Sequence, residues 1–137
     1  MVMEMRLKCF SAFVCLILAL LLTDLDIIAN VIAGEAMSCP LDHQIAVASV
    51  VLNRVADPRF PSSVAEVVGQ EGQYSENYLT GTAPESCYKA AEIAYNGLSD
   101  VPSNVIYQAN FPQGDAIWWR SDVDTGWYQS TTYFCEG

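Results

Sequence analysis

The chain has 137 residues, a length suited to one domain, and 52% of them are hydrophobic. Its net charge of −10 at pH 7 would repel a phosphate backbone, so the composition argues against a nucleic-acid partner. A single histidine and cysteines without C-x-x-C spacing do not make a metal site, and we expect neither a metal nor another cofactor.

The N-terminal residues have the pattern of an export segment. Arg6 and Lys8 precede an apolar run over residues 9–22, which resembles a secretory h-region and is short for a membrane-spanning helix. No clear cleavage site follows, so residues 1–23 are predicted to be either a signal peptide or an uncleaved N-terminal membrane anchor, the latter with membrane association through residues 9–22. Residues 24–137 are predicted to form one monomeric domain. It keeps three cysteines, enough for one disulfide whose partners the spacing does not assign: Cys39, Cys87 and Cys135.

A helix predicted over residues 24–36, capped by an aspartate, places one carboxylate in line with an apolar stripe. Ile27 and Val31 lie four residues apart and Glu35 continues their row, so its side chain is expected to point into the core. A carboxyl desolvated there would be prepared to act as a general acid. The alternative is that the helix turns or frays at Gly34 and that Glu35 faces water.

Three more helices are predicted before residue 100. Residues 42–56 are small or branched apolar on nearly every side, which is typical of a helix buried inside a domain, and His43 is interpreted as a surface residue at its start. Residues 69–81 are rich in Gly, amides and Tyr, as in loops that carry function. A short helix is predicted over 63–68 and a longer one over 85–98, whose inner face is expected to hold Cys87, Ala90, Ala91, Ala94 and Leu98.

Beyond Asp100 the sequence changes from helical to strand-like patterns. Short strands are predicted over residues 104–108, 116–120 and 131–135, where alternating, aromatic and β-branched residues appear in turn. Helices first and strands last predict an α+β fold rather than a wound α/β sheet.

Several blocks of the chain, in order and with matching gaps, are similar to one protein family across residues 25–135. The blocks are IANVIAGEA at 28–36, HQIAVASVVLNRV at 43–55 followed by Arg59-Phe60-Pro61, Gly72-Gln73-Tyr74, Lys89-Ala90-Ala91 with Asn96-Gly97, and Tyr107, Asn110, Pro112 and Trp118. Together they resemble the SleB/CwlJ-type cell-wall hydrolases, the family of spore cortex-lytic enzymes.

The resemblance implies a lysozyme-like or lytic-transglycosylase-like single domain whose catalytic acid is the glutamate that closes the first helix, here Glu35. It implies cleavage of the β-1,4 bond between N-acetylmuramic acid and N-acetylglucosamine in bacterial peptidoglycan, by a transglycosylation that leaves a 1,6-anhydro-muramic end. The implied partner is the glycan strand. The implied location is outside the cell, in the cell wall or the spore envelope, with a role in germination if the substrate is spore cortex.

The chain departs from the family pattern in three places. Met37, Ser38 and Cys39 stand where the family usually has an arginine, a glycine and a second glutamate. His43 replaces a glycine, and residues 130–132 replace a Gly-Asn-His block. The loss of the second glutamate leaves Glu35 as the acid, while the other changes leave substrate preference open.

For the sugar cleft we select side chains that offer amides, hydroxyls or planar rings. The predicted substrate-binding residues are Gln73, Tyr74, Tyr107, Asn110 and Trp118, together with Gln108. For the aromatic members the alternative is packing, since large aromatic side chains in so small a domain mostly fill the core. Asn53 and Arg54 are expected to fix a turn through hydrogen bonds and a salt bridge.

A single catalytic glutamate favours one mechanism over another. A glycoside hydrolase needs a second carboxylate at a set distance, whereas a transglycosylase uses the substrate's own 6-hydroxyl as nucleophile, so one Glu serves as acid and then as base. The other acidic residues are expected in loops or at helix starts, where capping and solvation explain them: Asp42, Glu71, Glu76, Asp115, Asp122 and Asp124.

Two other functions remain open from the sequence. One is a non-catalytic cell-wall-binding module, which the altered surroundings of Glu35 make plausible. The other, less favoured, is an N-acetylmuramoyl-L-alanine amidase, because the familiar zinc amidases need several His or acidic ligands and the chain has one His.

Overall fold

The computed structural model describes residues 22–137, apart from the side chain of Glu76. The export segment predicted over residues 1–23 therefore lies outside the described residues, except for its last two positions. Four helices come first, α1 (Asp24–Ala36), α2 (Leu41–Ala56), α3 (Val64–Val68) and α4 (Glu85–Tyr95), with a 3-10 helix (Glu76–Leu79) before α4. Three strands follow, β1 (Val105–Ala109), β2 (Ala116–Asp124) and β3 (Gln129–Glu136). From residue 22 onward, no helix is long and apolar enough to cross a membrane.

α1 begins with a capping box. The N–H of Asp26 donates to Thr23 Oγ1 (3.2 Å) and Asp26 Oδ2 accepts from the N–H of Thr23 (2.9 Å), so the cap is Thr23 rather than an aspartate. The hydroxyl of Tyr88 in α4 also donates to Asp26. These hydrogen bonds hold the pKa of Asp26 below its usual value, and the bond from Tyr88 contributes most to this shift.

α2 is the central helix of the core, as its composition predicted. It packs against α1, α3, α4 and β1, so its apolar side chains find neighbours on several sides, and residues 46–51 are all buried. Near its C-terminus the side-chain amide of Asn53 donates to the carbonyls of Pro102 and Val105 (2.9 Å each). These two hydrogen bonds fix the segment that leads into β1.

α4 ends earlier than predicted. The N–H of Asn96 donates to the carbonyl of Glu92 (2.9 Å), and Gly97 follows with a φ of 73°, a conformation that glycine adopts without strain. Leu98 lies beyond the helix and is 73% exposed, so its assignment to the inner face was wrong. The inner-face side chains predicted within the helix are buried: Cys87, Ala90, Ala91 and Ala94.

The three strands form one antiparallel sheet in the order β1-β3-β2, so the last strand lies in the centre. Phe134 of β3 and Val105 of β1 are fully buried and join the sheet to the helical core. The register between β2 and β3 shifts between Ile117 and Trp119, which makes Trp118 the extra residue of a β-bulge. Helices first and antiparallel strands last confirm the α+β prediction.

The three cysteines in the described part of the chain are free. Cys87 and Cys135 are buried and Cys39 is partly buried. Burial raises the pKa of the Cys39 and Cys87 thiols, which favours their protonated form.

Candidate active site

Glu35 lies in the last turn of α1, on the wall of a cavity of about 200 Å³ that we call the Glu35 cavity. Its side chain is exposed, so the expectation that the apolar stripe would carry it into the core was wrong. Ile27 and Val31, earlier in the same row, are buried. The row therefore leaves the core at its C-terminal end, and Glu35 is exposed on the cavity wall.

Most of the other residues that line the Glu35 cavity are polar. Its lining comes from α2, from β1 and the residue that follows it, and from β3: His43, Val47, Gln108, Ala109, Asn110, Ser130, Thr131 and Thr132. Two polar atoms in these walls, Gln108 Oε1 and Ser130 Oγ, are buried without a hydrogen-bond partner. Amides and hydroxyls are the groups that bind sugar hydroxyls, and a buried polar atom without a partner calls for an explanation.

A second cavity of about 440 Å³ adjoins the first, because Gln108 lines both. Its lining includes Gln73 and Tyr107, two of the predicted substrate-binding residues. Asn110 lines the Glu35 cavity itself. The structure therefore brings the predicted catalytic residue and three of the five predicted binding residues into two adjoining cavities.

Arg54 holds Gln73 at the edge of the second cavity. Its Nε donates to the carbonyl of Ile106 (2.7 Å), one guanidinium nitrogen donates to Gln73 Oε1 (3.1 Å), and the guanidinium carbon lies 5.0 Å from the centre of the Phe60 ring. The predicted hydrogen bonds are present. The predicted salt bridge was wrong: within the described chain no carboxylate pairs with this buried side chain, and carbonyl, amide and aromatic groups surround it instead.

Tyr74 lines neither cavity. Its ring packs against the hydrophobic core and its hydroxyl is buried without a hydrogen-bond partner. Burial raises the pKa of Tyr74, an effect that the positive charge of Arg54 opposes and the negative charge of Glu35 reinforces. For this residue the packing alternative describes what the structure shows.

Trp118 lines a third cavity, of about 360 Å³, which we call the indole cavity. The lining of this cavity is mostly apolar, with two carboxylates: Asp42, Ile45, Asp100, Val101, Trp118 and Trp119. Trp118 is the bulge residue next to Trp119, and both tryptophans line this cavity rather than the Glu35 cavity. The structure therefore places Trp118 away from Glu35.

His43 is buried, not a surface residue as predicted. Its Nδ1 lies 2.7 Å from Ser121 Oγ in β2, and its ring meets that of Phe134 edge-on with centroids 5.2 Å apart. The prediction failed because the sheet, which comes late in the chain, covers the start of α2. Burial lowers the pKa of His43, although the negative charge of Asp42 opposes the shift.

Tyr78, which the sequence analysis missed, contacts Glu35 directly. Its hydroxyl donates to Glu35 Oε1 (3.2 Å). Tyr78 belongs to the 3-10 helix, so the prediction of a wholly irregular segment over 69–81 was wrong. Burial, followed by the charge of Glu35 and the hydrogen bond to it, raises the pKa of Tyr78 to about 12. Asn30 was a signal in the sequence that a polar partner packs on α1. It is a polar residue within the apolar face of the helix, and its side chain donates to the carbonyls of Tyr78 and Gly81.

Among the described residues that line the two adjoining cavities, Glu35 is the one carboxylate. Asp42 lines the indole cavity. Asp122 and Asp124 lie in β2 rather than in loops, and they line a further cavity that shares Ser130 and Thr131 with the Glu35 cavity. Both carboxylates already accept hydrogen bonds, Asp122 from the hydroxyl of Thr131 (2.6 Å) and Asp124 from the N–H of Gly126 (2.9 Å). Over residues 22–137 no group of three or more His, Cys, Asp or Glu side chains is placed to hold a metal ion.

Comparison with known proteins gives a consistent result. The sequence model of the Cell Wall Hydrolase family matches residues 39–134. The chain belongs to this family. The resemblance found in the sequence is therefore confirmed, although Glu35 lies just before the matched range.

Curated relatives of the chain carry the name spore cortex-lytic enzyme. One from Bacillus cereus is 32% identical over 98 residues, which cover 69% of this chain and 38% of the relative. One from Oceanobacillus iheyensis is 42% identical over 105 residues, which cover 73% of this chain and 38% of the relative. The chain thus spans well under half the length of these relatives.

Solved structures extend the likeness to the fold. The catalytic domain of the germination-specific lytic transglycosylase SleB from Bacillus anthracis matches with a TM-score of 0.63 at 28% identity. The match covers 82% of this chain and 93% of that domain. The SleB catalytic domain from Bacillus cereus matches with the same TM-score at 30% identity. This family member therefore has the α+β fold of a SleB catalytic domain.

Proposed function

We propose that the protein cleaves the glycan strand of peptidoglycan between N-acetylmuramic acid and N-acetylglucosamine, as a lytic transglycosylase with Glu35 as its acid and base. Family membership and the likeness to a domain described as a lytic transglycosylase support the reaction class. The observation that carries the mechanism is that Glu35 is the one carboxylate among the described residues of two adjoining polar cavities. Asp122 and Asp124 line a further cavity that shares Ser130 and Thr131 with the Glu35 cavity, but they accept hydrogen bonds from Thr131 and from the N–H of Gly126. Neither is proposed as the second carboxylate that a hydrolase would need.

In the proposed reaction Glu35 gives its proton to the glycosidic oxygen as the bond from that oxygen to the anomeric carbon of N-acetylmuramic acid breaks. N-acetylglucosamine leaves with a free 4-hydroxyl. The 6-hydroxyl oxygen of the same muramic residue then bonds to the anomeric carbon, and its proton passes to the Glu35 carboxylate. The product is the 1,6-anhydro sugar, no water is consumed, and Glu35 is again protonated.

Three predicted residues fit the proposed path of the glycan. Asn110 in the Glu35 cavity, and Gln73 and Tyr107 in the adjoining one, offer amide and hydroxyl groups on both sides of Gln108. Tyr74 and Trp118 line neither cavity, so their contact with sugar stays a prediction from the sequence. We further propose export to the cell wall or spore envelope as a monomer, with residues 9–22 as signal or membrane anchor.

Mass spectrometry of a peptidoglycan digest tests the function. The full-length protein, purified in mild detergent, is incubated with vegetative and with spore-cortex peptidoglycan, and the released muropeptides are analysed. We expect products lighter by one water than the corresponding reducing sugars, and we expect Glu35→Gln to release none. Reducing ends would instead indicate hydrolysis and overturn the transglycosylase mechanism.

The same digest separates the two other functions. Free stem peptides whose release stops on addition of a chelator would indicate a zinc amidase. Binding to the polymer without release, unchanged in Glu35→Gln, would indicate a wall-binding module. Comparison of the two substrates also shows whether the protein prefers cortex or vegetative wall.

A further inference from the structure

One oxygen of the Glu35 carboxyl is already engaged by a neighbour. The hydroxyl of Tyr78, 43 residues away in sequence, donates to Glu35 Oε1 at 3.2 Å. No hydrogen bond to Oε2 is recorded within residues 22–137. The two oxygens of the carboxyl therefore have different surroundings before any substrate arrives.

Tyr78 is held against α1 by two residues of that helix. The side-chain amide of Asn30 donates to the carbonyls of Tyr78 (3.0 Å) and Gly81 (2.8 Å), which ties the 3-10 helix to α1. The ring of Tyr78 lies directly on Gly34, where an added Cβ would overlap the ring. Asn30 and Gly34 are four residues apart and so share one face of the helix.

α1 thus carries both the glutamate and the two residues that fix the partner of that glutamate. Asn30 anchors the backbone of the Tyr78 segment, and Gly34 leaves room for the ring beside the carboxyl. Two residues on successive turns of the helix, Gly34 and the buried Asn30, support this contact, which would not be expected of a chance contact at the surface. The arrangement indicates that the position of the Tyr78 hydroxyl is built into the helix.

We propose that Tyr78 is a positioning residue that holds Glu35 Oε1 and so leaves Oε2 to carry the proton to the glycosidic oxygen. The proposal rests on the proposed function of Glu35. When Glu35 is protonated on Oε2, Oε1 is a carbonyl oxygen that accepts from Tyr78; after proton transfer the same hydrogen bond stabilises the carboxylate. Tyr78 gives up no proton in either step.

The surroundings of the pair are consistent with this role. Because burial and the charge of Glu35 raise the pKa of Tyr78 to about 12, the hydroxyl remains a donor throughout the neutral pH range. The other titratable groups nearby are Tyr74, whose buried hydroxyl senses the charge of Glu35, and His43, which lines the same cavity. Burial favours the neutral form of each.

The test compares two tyrosines that each donate to a carboxylate on α1. In Tyr78→Phe we expect kcat to fall about tenfold with little change in KM, because the hydrogen bond acts on the reacting carboxyl and not on binding. The alkaline limb of the pH–rate profile should move to higher pH, since the carboxylate form of Glu35 loses a donor. In the matched control, Tyr88→Phe, the lost hydrogen bond is to Asp26 at the other end of the helix, and both kcat and the profile should stay unchanged.

A second variant tests whether the expected fall in kcat comes from the position of Tyr78 rather than from misfolding. Gly34→Ala places a methyl group where the Tyr78 ring lies and should lower kcat, and in the Tyr78→Ala background the same change should have no further effect. The inference is wrong if Tyr78→Phe behaves like Tyr88→Phe while the unmodified protein is active. An inactive unmodified protein would instead count against the proposed function, so the two failures are distinguishable.

Discussion

The Glu35 cavity and the indole cavity each contain an acidic side chain, but the structure holds these carboxylates in different ways. Asp42 stands in the first turn of α2, where its Oδ1 accepts from the N–H of His43 (2.8 Å) and the helix dipole favours negative charge. Glu35 stands in the last turn of α1, where the carbonyl end of the helix disfavours negative charge. Asp42 therefore stabilises its helix end, whereas the helix dipole gives no such reason for the position of Glu35, the proposed acid.

The residues that line the two cavities also differ in polarity. The Glu35 cavity has amide and hydroxyl groups, two of which, Gln108 Oε1 and Ser130 Oγ, are buried without partners. The indole cavity is mostly apolar and presents Trp118 and Trp119. Exposed aromatic side chains attract attention in a sugar-binding protein, but here unsatisfied polar atoms beside a carboxylate are the stronger indication of the reaction site.

The largest expected difference between the cavities concerns their carboxylates. Glu35→Gln removes the only proton donor proposed for catalysis, so we expect peptidoglycan release to fall about 100-fold or more. Asp42→Asn keeps an acceptor for the N–H of His43 in the first turn of α2, and we expect release within about twofold of the unmodified protein. Initial rates of muropeptide release measure both variants. Equal losses of activity in the two variants would contradict the assignment of a catalytic role to Glu35 and a structural role to Asp42.

A smaller difference is expected between the walls. Gln108→Ala removes the amide shared by the two adjoining cavities and should lower kcat/KM about tenfold, the effect of one or two lost hydrogen bonds to substrate. Trp118→Ala should leave kcat/KM within about twofold, because Trp118 lies in the indole cavity. A loss at Trp118 as large as that at Gln108 would show that the glycan also contacts the indole cavity. That outcome would agree with the prediction from the sequence that Trp118 binds substrate.

The anchoring of the Glu35 cavity gives a third comparison. Asn30 and Asn53 each donate two hydrogen bonds to backbone carbonyls, Asn30 beside Tyr78 and Asn53 at the start of β1. Replacement of either by Ala should lower the free energy of unfolding by about 1–3 kcal/mol, as measured by urea denaturation. Only Asn30→Ala should also lower kcat, by roughly fivefold at a temperature where both variants are folded. Equal kcat values would show that the Tyr78 segment needs no anchor.

The smallest effect expected is a pH dependence of stability from His43. Burial lowers the pKa of His43 in the folded state below 6.5, so the unfolded chain takes up the proton first. The resulting stabilisation is present above about pH 6.5 and is lost as the pH falls toward the lower folded value, by roughly 1 kcal/mol per pH unit. Urea unfolding at about pH 7.5 and about pH 5.5 should show this decrease, and His43→Gln should remove it, since the chain has no other histidine.

Much of the helical half could be predicted from the sequence. Residues 42–56 were expected to form a buried helix because they are apolar on nearly every side, and α2 covers Leu41–Ala56. The short helix predicted over 63–68 is present as α3, which Ser63 caps by accepting from the N–H of Glu66. These features depend on residues within a few turns of each other, so a local pattern contains the necessary information.

The candidate site was predicted only in part. The sequence pattern placed Glu35 at the end of the first helix, and selection by side-chain chemistry gave Asn110, Gln73 and Tyr107, which line adjoining cavities. The sequence could not place Tyr78, because the contact of Tyr78 with Glu35 depends on how a loop returns to the helix. A composition rich in Gly and polar residues carries no information about that path.

By itself the sequence determined where the four α-helices lie to within a few residues, and that a single glutamate closes the first one. The tertiary structure alone decided three further points: that Glu35 is exposed on a cavity wall, that the sheet buries His43, and that Trp118 is a bulge residue lining a different cavity. The physical reason is the range of the interactions. Helix periodicity and capping act within a few residues, whereas the burial of His43 depends on Ser121, 78 residues along the chain, and the bulge depends on pairing with β3.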